Sequence, residues 1–236
     1  MTPGSPPDAP LFRPVAERAV MVEFAAVQDS AAHRAVLRLD HALAARPCAG
    51  FCEAVPAMVS LLVVFDPLVT DHRQVEAHLR GLLSASAGPR LRHALREVQV
   101  CYDADCAPDL AAVADRTGLS RDAVIAAHLA GRYEVAMYGF APGYAYLSGV
   151  PGPLWLDRKQ SPLRDVPAGS VIIAAAQCLI TTLTMPTGWW IIGRSPTRVL
   201  TGDAGRPFLF DVGDRVRFRR ISRATLEPVA PGGPER

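Results

Sequence analysis

Tyr138-Gly139-Phe140-Ala141-Pro142-Gly143-Tyr144-Ala145-Tyr146-Leu147 is the most informative stretch of this 236-residue chain. Two glycines and a proline between aromatic residues make a stiff loop, in which backbone can approach a ligand while rings wall it in. The same composition also suits a hydrophobic turn at a barrel corner. The surroundings favour a barrel on either reading. From Tyr133 onward, short β-rich runs (Glu134 to Tyr138, Ser170 to Ala174, Leu179 to Leu183, Trp189 to Ile192, Arg215 to Ile221) alternate with Pro/Gly turns. Many short strands with dense turn chemistry predict a closed or nearly closed barrel.

Upstream the texture differs. Ala19 to Phe24 reads as a strand and Ala31 to Ala45 as a helix, with Val36, Leu37, Leu39 and Leu43 at helical spacing and Asp29 or Ser30 as cap. Val55 to Phe65 reads as a strand entering from a turn at Pro56, and Asp71 to Ser84 as a second helix carrying Val75, Leu79, Leu82 and Leu83. Strand, helix, strand, helix suggests a small α+β layer. The polar stretch Ser86 to Arg96, with Gly88-Pro89, reads as a linker. Beyond it come a strand at Glu97 to Val100, a helix over Asp109 to Arg116, and another that Ser120 caps and that runs to about Leu129. The expected organisation is a flexible tail over 1–11, an α+β domain over 12–85, a linker over 86–96, a barrel over 97–225 and a second tail over 226–236.

Half of the residues are hydrophobic and a fifth are charged, an ordinary globular balance. A formal net charge of +2 is too small to point to nucleic acid. Arg215, Arg217 and Arg219 alternate along a strand and read as a solvated face. The amino terminus lacks the basic and apolar regions of a secretion signal, and no apolar run approaches the ~20 residues of a membrane helix, so a soluble cytoplasmic protein with no membrane partner is expected. The five cysteines are an odd number without a secretion signal, which favours free thiols. Cys48 and Cys52, and Cys101 and Cys106, lack the spacing of zinc sites, and no metal is expected.

The central loop, taken with its neighbours, resembles the GFxPGFxYL signature of the allophanate hydrolase subunit 1 family, which includes the B-type subunits of 5-oxoprolinase, with Tyr144 replacing the second Phe. Gly118-Leu119-Ser120, Val124-Ile125, His128 and Tyr133 resemble the family's run into that signature. Val166-Pro167-Ala168-Gly169-Ser170-Val171 resembles its VPAGSV segment, and Gln177, Gly188-Trp189 and Gly193-Arg194-Ser195-Pro196 its Gln, GGW and GR(S/T)P positions. The resemblance implies an α+β amino-terminal domain followed by a cyclophilin-like β-barrel. It also implies a subunit 2-type partner, with a further subunit allowed for, and a site where the two proteins meet. Members take part in ATP-dependent 5-oxoproline hydrolysis, in biotin-dependent urea carboxylation, or in inhibition of a sporulation histidine kinase. The leading expectation is a hydrolase subunit acting on a cyclic amide only with its partner. An interaction module of the kinase-inhibitor type and a urea-type carboxyltransferase component are the alternatives. ATP then belongs to the complex, and biotin only to a separate carrier, since no Ala-Met-Lys-Met site is present.

Handling an amide requires donors aimed at oxygen, an acceptor for N–H, and shelter from water. Gln177 can orient an amide and Arg194 can grip a carboxylate; each has a plain alternative, backbone satisfaction for Gln177 and pairing with Asp165 or Asp203 for Arg194. His128 suits proton transfer, or else merely closes a helix. These three are the candidate catalytic residues. Gly139, Phe140, Pro142, Gly143, Tyr144, Tyr146 and Trp189 are the candidate substrate-binding set, although Tyr146 and Trp189 fit a core or a subunit interface better than a direct substrate contact. The loop, Gln177 and Arg194 are expected to line one cavity that a second protein completes. The family's Thr-Pro-Arg step is replaced by Ser161-Pro162-Leu163, with the arginine displaced to Arg164. Family glycines are lost at Ala175, Leu179 and Thr187, and Thr181-Thr182 stands for a Tyr-Pro pair. Side chains added there are expected to narrow the site.

Overall fold

A computed structural model describes residues 9–85 and 93–226. They form two compact units, divided between Arg92 and His93. The first is a four-stranded antiparallel sheet in the order β1-β2-β4-β3, built from β1 (Leu11–Val15), β2 (Ala19–Glu23), β3 (Phe51–Pro56) and β4 (Ser60–Phe65). Helices α1 (Ser30–Ala45) and α2 (His72–Ser84) bury Val36, Leu39 and Leu43, and Val75, Leu79 and Leu82, against Val20, Val22, Leu61, Val63 and Phe65 of the central strands. Asp29 and Asp71 cap them, accepting from the N–H groups of Ala32 (2.8 Å) and Gln74 (2.9 Å).

Two sequence expectations are corrected here. Val55 to Phe65 is the turn of a hairpin, not one strand: β3 ends at Pro56, the chain reverses through Ala57-Met58-Val59, and Ala57 donates to the Ser60 carbonyl. The run carries no Gly or Asn at the reversal, and the chain turns just after Pro56, where β3 ends, so Pro56 closes one strand and does not open the next. Leu11, read as tail, opens β1. Pro14 sits on that edge strand, where a missing N–H removes no ladder bond.

The second unit is a closed barrel. Around it run β10 (Gln177–Ile180), β7 (Ala145–Ser148), β6 (Tyr133–Tyr138), β13 (Arg215–Ile221), β5 (Leu95–Cys101), β12 (Trp190–Arg194) and β9 (Ser170–Ala174), with β9 pairing back onto β10. Only β5 and β13 run parallel among these pairs. The architecture is therefore the expected α+β unit followed by a β-barrel. Strand β5 begins at Leu95, so the carboxyl end of the expected linker is ladder; residues 86–92, its remaining part but for His93 and Ala94, lie outside the described residues, as do 1–8 and 227–236 of the expected tails. Helices α3 (Leu110–Thr117) and α4 (Arg121–Ala130) sink Leu110, Val113, Val124 and Ile125 into the barrel core beside Val98, Val100, Leu147, Ile173 and Ile192. Arg215, Arg217 and Arg219 point outward, as their spacing predicts, and Arg219 pairs with Glu97 at 2.8 Å. A separate two-stranded ribbon, β8 (Leu163–Val166) with β11 (Met185–Thr187), supplies a cover for the barrel's outer wall.

Candidate functional site

Strands β9 and β10 alternate strictly. Val171, Ile173, Cys178 and Ile180 face the barrel core, while Ile172, Ala174 and Leu179 face outward. The outward residues join Tyr144, Val166, Trp189 and Ile191 in a second apolar cluster, with Ala141, Tyr146 and Met185 at its margin. This outer cluster is the floor beneath the signature loop. Pairing of Gln177 with Ala174 and Ser148 places the glutamine at one end of that floor.

The loop joins β6 to β7 and is held from both sides. Its Gly139 N–H donates to the Tyr144 carbonyl at 3.2 Å, and the Thr182 hydroxyl donates to the Pro142 carbonyl at 2.6 Å. Gly143 adopts φ 74°, and a Cβ there would stand 2.8 Å from Leu200 Cδ2 and 2.9 Å from Thr182 Cγ2. Glycine is required on both counts. Tyr144 is buried and donates to the Met185 sulfur; burial pushes its hydroxyl up to about 12. Phe140 is the opposite case. It takes φ 73°, a conformation that strains a side-chain-bearing residue, and is 77% exposed, its ring 5.5 Å from that of Tyr144.

Tyr146 and Trp189 meet edge to face at 5.9 Å, and the Arg158 guanidinium lies 5.7 Å from the Trp189 ring. Burial raises the Tyr146 hydroxyl, with the Arg158 charge opposing. Sequence reading missed Arg158: it lies in a loop between turn residues, and only the fold sets it over the tryptophan.

Gln177 and Arg194 do not form a pair. Gln177 is opposite Ala174 and Arg194 opposite Ser170, the two ends of β9. Four residues, about 13 Å of strand, lie between those two ends, and the two side chains stand on the strands that flank β9 on either side. Arg194 lies at the signature-loop end, since Ile180, which precedes the Thr181-Thr182 segment under Pro142, pairs with Val171 beside Ser170. Among the described residues Arg194 makes no ion pair, with Asp165, Asp203 or any other acid, and Gln177 makes no side-chain hydrogen bond. Both polar ends are free for a ligand, but for different parts of one.

His128 lies elsewhere. It is fully buried in the barrel core at the end of α4, with Nδ1 2.7 Å from the Tyr102 hydroxyl and Nε2 3.6 Å from the Cys178 sulfur. The rings of Phe218 (4.5 Å) and Tyr133 (5.3 Å) enclose it. Burial pushes its pKa down to about 3, and raises the Cys178 thiol. A neutral imidazole with both nitrogens engaged and no path to solvent holds the core together; it does not reach the outer cluster where the aromatic set sits.

The lost glycines also read differently in three dimensions. Ala175 is exposed at the two-residue β9–β10 turn with φ 47°, so glycine's advantage there is conformational and not spatial. Leu179 does fill the outer cluster, and Thr187 accepts the Trp189 N–H at 3.1 Å. Among the described residues no group of three or more His, Cys, Asp or Glu is placed to hold a metal, and no helix is long and apolar enough to cross a membrane.

A small α+β unit followed by a barrel of this topology is a known arrangement. It is shared with the urea carboxylase of Kluyveromyces lactis, with a TM-score of 0.71 at 18% identity, over 94% of this chain and 24% of that one. The crystal structure of TTHA0988 superimposes with a TM-score of 0.79 at 35% identity over 91% of this chain; the match spans 41% of that longer chain. Residues 10–210 match the carboxyltransferase domain, subdomain C and D, and the chain belongs to that family. It is also 36% identical to the B-type subunit of 5-oxoprolinase from Bacillus subtilis (strain 168), over 77% of this chain and 82% of that protein.

Proposed function

We propose that this chain is the B-type subunit of a 5-oxoprolinase-like enzyme, and that it contributes one wall of a site completed by a second protein. The identity to the Bacillus 5-oxoprolinase component over most of both chains carries this reading. The exposed Phe140 supports it: a strained, protruding ring over a preformed apolar floor suits a contact with another protein better than a solvated surface. Arg194, unpaired at the same end of the barrel, is suited to grip the carboxylate of a small lactam such as 5-oxoproline. Gln177, Tyr146 and Trp189 lie at the other end of the floor, where Gln177 can satisfy both edges of an amide. His128 stays a core residue in this scheme. ATP is consumed by the assembled complex, in the cytoplasm, and no metal is assigned to this chain.

The test is reconstitution with a subunit 2-type protein, adding a third subunit if two are silent. ATP-dependent release of glutamate from 5-oxoproline is expected only from the assembled mixture, and Arg194→Ala is expected to raise KM for 5-oxoproline with the complex intact. Full activity from this chain alone, or an assembled complex that turns over urea and ignores 5-oxoproline, would overturn the reading.

A further inference from the structure

The Ala175 turn borders a second feature, a cleft of about 920 Å³ whose lining includes none of Phe140, Tyr146, Gln177, Trp189 and Arg194. Its walls are Arg116 near the end of α3, Trp155, Arg158 and Lys159 of the segment before β8, and Ala175, with Trp190 beneath. The volume is that of a site for a sizeable small molecule.

The segment that forms one wall is stiffly anchored. Leu156 carbonyl accepts from the Ala175 N–H (2.8 Å), Asp157 carbonyl from Trp190 Nε1 (2.8 Å), and the Lys159 N–H donates to the Gly188 carbonyl (2.7 Å). Trp155 Nε1 donates to the Val150 carbonyl (2.7 Å), which fixes an indole that is nevertheless 57% exposed. A large flat ring left facing solvent on a rigid support is an unspent stacking surface.

The charges are equally particular. Lys159 is neutralised by Asp109 at 2.6 Å. Arg116 and Arg158 make no ion pair among the described residues; instead Arg116 lies over the Trp190 ring at 5.0 Å and Arg158 over Trp189 at 5.7 Å. Stacking on an indole face orients a guanidinium while leaving its edge N–H groups unused. Asp157, also on the lining, is the only carboxylate there, and it leaves an excess of positive charge.

We propose that this cleft binds an organic oxyanion attached to a flat ring, with a nucleoside phosphate as the chemical class: the base stacks on Trp155 and the phosphates lie between Arg116 and Arg158. Two donor forks suit phosphate oxygens, and an exposed indole accepts any base. The assignment adds a second site to the chain and does not depend on the function proposed above.

The experiment is calorimetric titration of the full chain, without partner, with ADP, and in parallel with adenosine and with inorganic pyrophosphate. ADP is expected to bind, and each of the other two at least about tenfold more weakly, because each lacks one half of the recognition. Arg116→Ala/Arg158→Ala and, separately, Trp155→Leu are each expected to weaken ADP about tenfold or more; all three positions are exposed, and the unfolding midpoint of each variant reports its folding. Arg194→Ala, at the other end of the barrel, is expected to leave ADP binding unchanged. No heat from ADP at millimolar concentration, or equal binding by the variants, overturns the site. Pyrophosphate binding as tightly as ADP overturns the ring, and adenosine doing so overturns the phosphate. Since no partner is present, failure here is distinct from failure of the reconstituted activity.

Discussion

Strands β9 and β10 present two different chemistries from one stretch of backbone. Their inward residues meet a sealed interior in which Cys178 lies beside His128 and the hydroxyls of Tyr102 and Tyr133 bond to that histidine, with burial driving these groups to their neutral forms. Their outward residues meet a floor covered only by a loop and a ribbon, with Tyr146, Gln177 and Arg194 half-buried around it. Position in the pleat, not residue type, separates a group that stabilises from one that is available for binding. A histidine buried on the inner side is less reactive than a glutamine on the outer one.

Neighbouring isoleucines on β9 put that contrast to the sharpest test. Ile173→Ala opens a cavity in the sealed core and is expected to lower unfolding free energy by about 4 kcal/mol in urea titration, whereas Ile172→Ala, in the smaller outer cluster beneath a two-stranded ribbon, is expected to cost about 2 kcal/mol. Equal losses would erase the distinction between the two sides.

His128 offers a second break point through pH. Its folded pKa is depressed, so the unfolded chain binds one more proton between about pH 6.5 and pH 3. The stability that this neutral histidine supplies is present above its unfolded pKa and lost as pH falls through that window, at about 1.4 kcal/mol per pH unit. His128→Gln is expected to remove that slope from the acid limb of the stability profile. An unchanged profile would mean that His128 is protonated in the fold, and so exposed.

On the outer side, Phe140→Ala should leave stability within about 0.5 kcal/mol, since the ring is exposed, while weakening association with a subunit 2-type protein by about 2 kcal/mol in a titration of the two. Unaltered affinity would remove Phe140 from the interface. The smallest expected effect is a gain: Ala175→Gly relieves a left-handed backbone and should raise stability by about 0.5–1 kcal/mol, visible as a higher urea midpoint.

Much of this was legible in the chain itself. Caps at Asp29 and Ser120 and the apolar spacing of both amino-terminal helices follow from local chemistry, and the structure has them in place. Strand β7 was hidden because three of its four residues lie inside the aromatic signature, and β8 and β11 because three or four residues beside or around a proline carry no visible alternation. Among the site residues, the signature loop held together since its members are adjacent in sequence. Arg158, Thr182 and Leu200 could not be found that way; their roles arise from contacts across dozens of residues.

Sequence alone therefore determined the class of each unit, the helix boundaries and the identity of the stiff aromatic loop, because capping, periodicity and turn chemistry act within a few neighbouring residues. Tertiary structure alone decided that His128 is sealed inside, that Gln177 and Arg194 stand beside opposite ends of β9 on its two flanking strands, and that Trp155 is left facing a basic cleft. Those outcomes depend on strand register and barrel closure, where a shift of one residue turns a side chain from wall to core, and no local stretch of chain encodes that choice.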